Sequence, residues 1–329
     1  MASHFRWQLP AVESLNWKKR LKGLIMQTIV LLAPHGQVGF EVARAVAPLG
    51  QLFTLSRKDV DFADTQAVVT KVAAFKPTII INAAAWTAVD KAETEHAACE
   101  LINVALPAAL AALATQLNAW LVHYSSDYVY PGYGTTPWLE TDTTGPLSVY
   151  GQSKLDGDLA VIQHTDKYLI FRTSWVYAAR GNNFLRTMLK LAQQREALSV
   201  VADQIGAPTP ARLIAQVTVL ALQQVLTRQA EDEGDATSSY AGVYHLASKG
   251  YCSWYDFAAE IFRLARDSGS VLTLNDQQFK AIATVEYPTP AKRPSNSRLN
   301  LTKLEQTFNV QLPEWQQQLY FTFNELTTH

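Results

Sequence analysis

Thr28-Ile29-Val30-Leu31-Leu32-Ala33-Pro34-His35-Gly36-Gln37-Val38-Gly39 is the stretch that decides the fold. Its first five residues are apolar and rich in β-branched side chains. A continuous run of that kind reads as a strand buried on both faces of a parallel sheet. A glycine turn follows, and then Val42, Ala45, Val46 and Leu49 repeat at helical spacing. Strand, glycine turn and helix in that order make a candidate dinucleotide site. Turn glycines admit the backbone close to a pyrophosphate, and the helix N-terminus offers free N–H groups and positive dipole. His35, Gly36, Gln37, Val38 and Gly39 are the candidate contacts. A plain turn between strand and helix fits the same residues. Position 33 carries alanine where a full motif has glycine, which the turn accommodates only if that residue keeps φ negative.

The pattern repeats outward from this unit. A second strand, Leu52-Phe53-Thr54-Leu55, ends in Ser56-Arg57-Lys58. An acid there would suit adenosine ribose hydroxyls and an arginine a 2′-phosphate, so Ser56 and Arg57 favour NADPH, with NADH as the alternative. A solvated loop fits those residues equally, and Asp61 and Phe62 could flank an adenine. A third strand, Thr78-Ile79-Ile80-Ile81, ends in Asn82-Ala83-Ala84-Ala85. Small residues such as Ala83, Ala84 and Ala85 leave room for a cofactor across the strand end. A long helix rich in alanine and leucine is expected over about 94–117, with Asn103 as a buried structural hydrogen-bonder. The fourth strand, Trp120-Leu121-Val122-His123-Tyr124, delivers Ser125-Ser126-Asp127-Tyr128. A fifth is Tyr168-Leu169-Ile170-Phe171, ending in Arg172-Thr173-Ser174-Trp175. This alternation predicts an α/β fold with a Rossmann-type doubly wound parallel sheet.

Between the fourth and fifth strands lies Val149-Tyr150-Gly151-Gln152-Ser153-Lys154. On a helix, Tyr150 and Lys154 share one face. Tyrosine is a poor acid near neutrality, with an ordinary pKa of about 10. A neighbouring ammonium favours the phenolate and brings the group toward the working range. The pair also fits two amphipathic residues on a solvated helix face.

Beyond about residue 180 the rhythm loosens into a smaller C-terminal substrate-binding α/β region. Helices are expected near 183–194, 211–228, 254–267 and 313–326, and short strands at 198–201 and 243–246. Arg228 to Tyr240 reads as an acidic surface loop, and Pro-rich loops stand at 206–210 and 287–294. The expected division is an extension (1–25), a dinucleotide-binding domain (26–180) and a mainly substrate-binding region (181–329), with some chain returning to the first domain.

Composition narrows the partners. The 28 basic and 29 acidic residues balance, so nothing argues for nucleic acid or an anionic membrane. No run approaches the roughly 18 apolar residues of a membrane-spanning helix. Cys99 and Cys252 give neither a disulfide framework nor a zinc pattern, which makes a reducing, cytoplasmic setting the default. Residues 1–25 hold Phe5, Trp7, Trp17 and Lys18-Lys19-Arg20, but Glu13, Asn16 and Lys18 interrupt any signal-peptide core. They read as an extension ahead of a natural start at Met26, with an amphipathic membrane-surface segment as the alternative, and poor order is expected.

From Met26 onward the chain resembles the extended short-chain dehydrogenase/reductases, and within them the dTDP-4-dehydrorhamnose reductases. The carriers are Gly36-Gln37-Val38-Gly39, Asn82 to Ala85 with Thr87 to Glu93, and Tyr124 to Val129. Further along they are Tyr150 with Lys154, Arg172-Thr173-Ser174-Trp175-Val176-Tyr177, Asp203-Gln204 with Gly206 to Thr209, and Arg293-Pro294 with Asn296-Ser297. The resemblance implies hydride transfer from NADPH or NADH to the C4 ketone of dTDP-4-dehydro-β-L-rhamnose, in nucleotide-sugar biosynthesis for cell-surface polysaccharide. Tyr150 would be the proton donor. Lys154 would lower its pKa and bind the nicotinamide ribose. Ser126, where the family has threonine, would hydrogen-bond the carbonyl. Asp127 and Trp175 match sugar-contacting positions, and Arg293 would suit the diphosphate or form a surface ion pair. Some members dimerise through magnesium held by three glutamates. Glu41 and Glu325 match two of those positions, but Arg212 occupies the third, and a cation there repels Mg²⁺. The expectation is therefore no metal, and a monomer or weak homodimer. Two other readings stay open: a non-catalytic cofactor-binding subunit, and a reductase or epimerase of another nucleotide sugar.

Overall fold

The computed structural model describes residues 26–231 and 240–327. The expectation for residues 1–25 lies outside the described residues. The elements are β1 (Gln27–Leu32), α1 (Gln37–Val46), β2 (Gly50–Leu55), α2 (Thr65–Ala74), β3 (Ile79–Asn82), α3 (His96–Leu117), β4 (Trp120–Ser126), α4 (Val149–His164) and β5 (Tyr168–Thr173). They continue with α5 (Phe184–Gln194), β6 (Leu198–Val201), α6 (Ala211–Glu231), β7 (Gly242–His245), α7 (Trp254–Asp267), β8 (Phe279–Ile282) and α8 (Trp315–Thr327).

The central sheet runs β7-β5-β4-β3-β1-β2, parallel throughout. Its strands are apolar on both faces because both are covered. Ile29, Leu31, Ile79, Ile81 and Val122 face one core with α1 and α6, whereas Val30, Leu32, Ile80 and Leu121 face another with α2 and α3. A third core joins α5, α7 and α8 around Phe257, Phe262 and Phe323. The register places Leu32 beside both Leu55 and Asn82, Asn82 beside His123, and Ser126 beside Thr173. All these strands therefore end along one edge, where ligands bind in open α/β sheets.

β7 comes from beyond residue 180 yet pairs with β5 as an edge strand. The short β6 and β8 pair in a separate small sheet. α6 runs on to Glu231, so the surface loop read at Arg228 to Tyr240 is helical over its first residues, and residues 232–239 lie outside the described ones.

α3 is the element that bears on a membrane span. It has 22 residues and a mean hydropathy of 1.8, enough by length and composition. Glu100 and Asn103 interrupt the run in the sequence. Half of its apolar window is buried, and the helix packs against α4 and α2 as a core element. At Leu101–Ala105 it widens into one π turn, a departure that recurs at functional sites. There Asn103 holds both polar groups of the Trp86 backbone. A Cβ on Gly157 would sit 2.1 Å from the Asn103 carbonyl oxygen, so only glycine lets α4 lie this close.

Candidate active site

The glycine turn ends β1 and opens α1. Gly36 is the helix N-cap and supplies no side-chain cap, leaving the first N–H groups approachable. A Cβ at Gly36 would meet only the Ala33 oxygen, at 3.5 Å, whereas one at Gly39 would lie 2.1 Å from that same oxygen. Gly39 is thus fixed by packing, whereas the space at Gly36 is open. Ala33 does not keep φ negative: it sits at +60°, in the left-handed region. Its N–H donates to Leu55 O (2.8 Å) and its carbonyl accepts from Gly36 N (3.1 Å), so the turn holds it there against its intrinsic preference. His35 and Gly36 are exposed. Val38 packs against the first core, and Gln37 Oε1 accepts from Asn183 Nδ2 at 2.8 Å.

At the end of β2, Ser56 is buried and donates through both its N–H (2.8 Å) and Oγ (2.6 Å) to Asp59 Oδ2. Those bonds hold the Asp59 carboxyl below its usual range. The strand end therefore does have an acid, three residues on, which residue-by-residue reading missed because the turn brings it back. Arg57 is exposed beside it. The Phe62 ring is 2% exposed and belongs to the second core. Asp61 and Phe62 start the turn into α2, with Asp61 Oδ1 accepting from Ala63 N. Ala83 and Ala85 are half-buried and Ala84 is buried at the end of β3, where Asn82 Oδ1 accepts from Ala84 N.

β4 ends on Ser126, whose Oγ accepts from Tyr128 N and donates to Asp127 Oδ1, each at 3.2 Å. Ser148 caps α4 through Gly151 N. That cap sets Tyr150 in the first helical turn, with its phenol within hydrogen-bonding reach of Ser126 and its ring edge-on to Tyr128 at 5.5 Å. Burial pushes the Tyr150 phenol above its ordinary pKa, and the Ser126 bond opposes that rise. Lys154 lies one turn on, 1% exposed. Its Nζ donates to Tyr124 O at 2.7 Å and lies 3.5 Å from His123 Nε2. Burial pulls its pKa down to about 8. The ammonium is thus bonded to β4 through the Tyr124 carbonyl, one helical turn on from Tyr150.

Asp127 is buried, and burial pushes its carboxyl up to about 7, while the bond from Ser126 Oγ to Oδ1 opposes the rise and Oδ2 has no hydrogen-bond partner. Trp175 follows β5 at φ +48° and stacks on Trp254 with ring centroids 3.6 Å apart. Gly206 makes room for it, since a Cβ there would lie 2.6 Å from the indole. Trp254 was not singled out in the sequence; an aromatic residue opening a helix carries no signal of its own. Arg293 Nη2 bonds Asp90 Oδ2 at 2.7 Å, and the Arg293 side chain is 18% exposed. It lies within reach of Tyr128, which places it next to the Tyr150 pair. The ordered set is Ser126, Asp127, Tyr150 and Lys154, with Arg293 on one flank. Arg57 and Phe62 stand elsewhere.

Away from this edge, Arg212 Nη2 lies 2.7 Å from Glu325 and its Nε 3.8 Å from Glu41. The guanidinium thus sits between the two glutamates.

The family model of the RmlD substrate binding domain matches residues 26–328. The chain is 48% identical over 304 residues to the dTDP-4-dehydrorhamnose reductase of Escherichia coli (strain K12), covering 91% of this chain and 98% of that protein. It is 43% identical over 287 residues to the enzyme of the same name from Burkholderia thailandensis, covering 87% and 95%. Among solved structures it superposes on a Clostridium acetobutylicum dTDP-4-dehydrorhamnose reductase with a TM-score of 0.81 and 34% identity, over 91% of this chain and 99% of that one. The Bacillus anthracis enzyme, solved in complex with NADP, gives a TM-score of 0.78 and 31% identity over 92% and 100%. From Met26 onward, in sequence and in architecture alike, the chain belongs to the RmlD substrate binding domain family of extended short-chain dehydrogenase/reductases.

Proposed function

We propose that this chain is a dTDP-4-dehydrorhamnose reductase, converting dTDP-4-dehydro-β-L-rhamnose to dTDP-L-rhamnose with NADPH, NADH being the alternative donor. The observation that carries the reading is the meeting of the Ser126 and Tyr150 hydroxyls at the carboxyl edge of the sheet, with Lys154 one turn behind. The uncapped α1 N-terminus and the open face of Gly36 fit a dinucleotide pyrophosphate. The cofactor, when bound, supplies the hydride. Tyr150 gives its proton to the C4 oxygen as negative charge develops there, and Ser126 donates a hydrogen bond to the same oxygen. A phenol raised by burial remains a proton donor across the neutral range. Lys154 holds positive charge behind the phenol and, as the resemblance implies, binds the nicotinamide ribose. Asp127 and Trp175 contact the sugar, and Arg293 offers planar donors to the diphosphate.

In this reading residues 26–180 form the dinucleotide half and 181–329 mainly the sugar half, with β7 returning to the first sheet. The protein works in the cytoplasm, in line with its free Cys99 and Cys252, as a monomer or weak dimer without magnesium, and its product feeds a cell-surface polysaccharide. NADPH and NADH oxidation against a panel of nucleotide-linked keto sugars tests the assignment. Turnover is expected with dTDP-4-dehydro-β-L-rhamnose. No turnover with any sugar would instead favour a non-catalytic subunit, and turnover only with another sugar would favour a different reductase or epimerase.

A further inference from the structure

Behind the phenol lies a buried polar chain that the mechanism above does not use. Asp158 is 0% exposed and sits one helical turn beyond Lys154 on α4, repeating the spacing from Tyr150 to Lys154. Its Oδ2 accepts from Arg172 Nε at 3.0 Å, and its Oδ1 accepts no hydrogen bond and lies 4.0 Å from His123 Nε2. The histidine can be oriented from its neighbours. Asn82 Oδ1 accepts from Ala84 N, so the Asn82 amide nitrogen, 3.3 Å from His123 Nδ1, is the donor there. Nδ1 must accept, which puts the ring proton on Nε2, so the 3.5 Å approach of the Lys154 ammonium to that nitrogen sets donor against donor and is not a hydrogen bond. Burial keeps His123 neutral. Arg172 is occupied on its other side by the Tyr130 hydroxyl (2.8 Å), which in turn meets His245 Nε2 (2.6 Å).

A buried ammonium needs a compensating charge. The groups facing Lys154 are His123 and the Tyr124 carbonyl from β4, Cys99 on α3, and Asp158 on its own helix. Cys99 is a buried thiol whose own pKa is raised by burial, so it stays neutral. His123 is neutral and the Tyr124 carbonyl is only a dipole. Asp158 is the one carboxylate in this set; burial raises its carboxyl, and the Arg172 and Lys154 charges oppose that rise. We propose that Asp158, shared with Arg172, is the positioning residue for Lys154: its charge keeps the ammonium protonated and seated against β4 during reduction.

The proposal rests on the reductase reading, and its test separates the two. The pH profile of kcat/KM for the sugar is measured with wild type, Asp158→Asn and the charge-balanced double variant Asp158→Asn/Arg172→Gln. The double variant removes a buried pair instead of leaving one ion alone, so it is the safer fold. Losing the carboxylate lowers the Lys154 pKa, so the alkaline limb moves down by about one pH unit or more in either variant. Rates at pH 6 stay close to wild type, while those at pH 8.5 fall roughly tenfold. Affinity for NADPH, read by tryptophan quenching across the same pH range, loses its alkaline end in step. If wild type turns over no sugar, the reductase reading fails, and the NADPH profile alone carries the test of Asp158. A folded variant whose limbs coincide with those of wild type, or whose loss is uniform at every pH, would overturn the proposal.

Discussion

Replacing Ala33 by glycine should stabilise this protein, although it removes a methyl group from the edge of a core. Ala33 sits at φ +60°, where an L-residue with a Cβ is disfavoured by roughly 1–2 kcal/mol. Glycine removes that penalty. It also frees the unfolded chain, which costs about 0.4–1 kcal/mol in the other direction. The net expectation is a gain of about 0.5–1 kcal/mol, or roughly 1–2 °C in Tm for a chain of this size. The backbone bonds of the turn, to Leu55 O and from Gly36 N, survive the change. NADPH affinity should therefore be unchanged or slightly tighter. Urea unfolding followed by tryptophan fluorescence reads the stability, with m-values compared to exclude a change in the unfolded state. Gly39→Ala is the control: its new Cβ would be 2.1 Å from the Ala33 oxygen, backbone against backbone, and should cost at least about 2 kcal/mol. A glycine at 33 that lowers the midpoint while Gly39→Ala is tolerated would show that the turn is not built as described.

His245 is buried and its pKa is pulled down to about 3, so it stays neutral in the fold while the unfolded chain takes up a proton below about 6.5. Its contribution is complete above that value and is lost as pH falls, by about 2 kcal/mol at pH 5. Asp127, held up to about 7, acts with the opposite sign and cancels when variants are compared. His245→Gln should therefore flatten the loss of stability between pH 7 and 5, as measured by urea melts at both values. Trp254→Ala removes the ring stacked on Trp175, and steady-state kinetics should show KM for the sugar raised roughly tenfold, the loss of about 1.4 kcal/mol of binding, with a smaller change in kcat. With Arg212 between Glu41 and Glu325, sedimentation velocity should give the same distribution with magnesium and with EDTA, and an EDTA-sensitive dimer would contradict the reading of that site.

The strands of the first half were legible because burial on both faces leaves only apolar residues, as in Ile79-Ile80-Ile81. The carboxyl edge was legible for the same reason: polar residues such as Ser126 and Asp127 appear abruptly where the apolar run stops. β7 was legible as a strand, and some return of chain to the first domain was expected, but not which segment makes it, because its partner β5 lies about seventy residues earlier and pairing leaves no local mark. Ala33 misled because residue type points to negative φ, while the backbone bonds around it impose the opposite. The burial of Phe62 was not legible because an aromatic near a strand end suits a ligand and a core equally. Asp158 was within reach of sequence reasoning, since it repeats the four-residue step from Tyr150 to Lys154, but its burial came only with the fold. Trp175 stood out in the sequence through the resemblance alone, and its support by Trp254 and Gly206 depends on contacts distant in the chain.

The central claim is that the Tyr150 phenol delivers the proton during ketone reduction. Single-turnover reduction of dTDP-4-dehydro-β-L-rhamnose by Tyr150→Phe, with NADPH affinity measured on the same sample, tests it most directly. The rate should fall by about 10²–10⁴-fold, the usual share of a general acid, while NADPH binding stays within about twofold of wild type. A Tyr150→Phe enzyme that reduces the sugar at the wild-type rate would contradict the account.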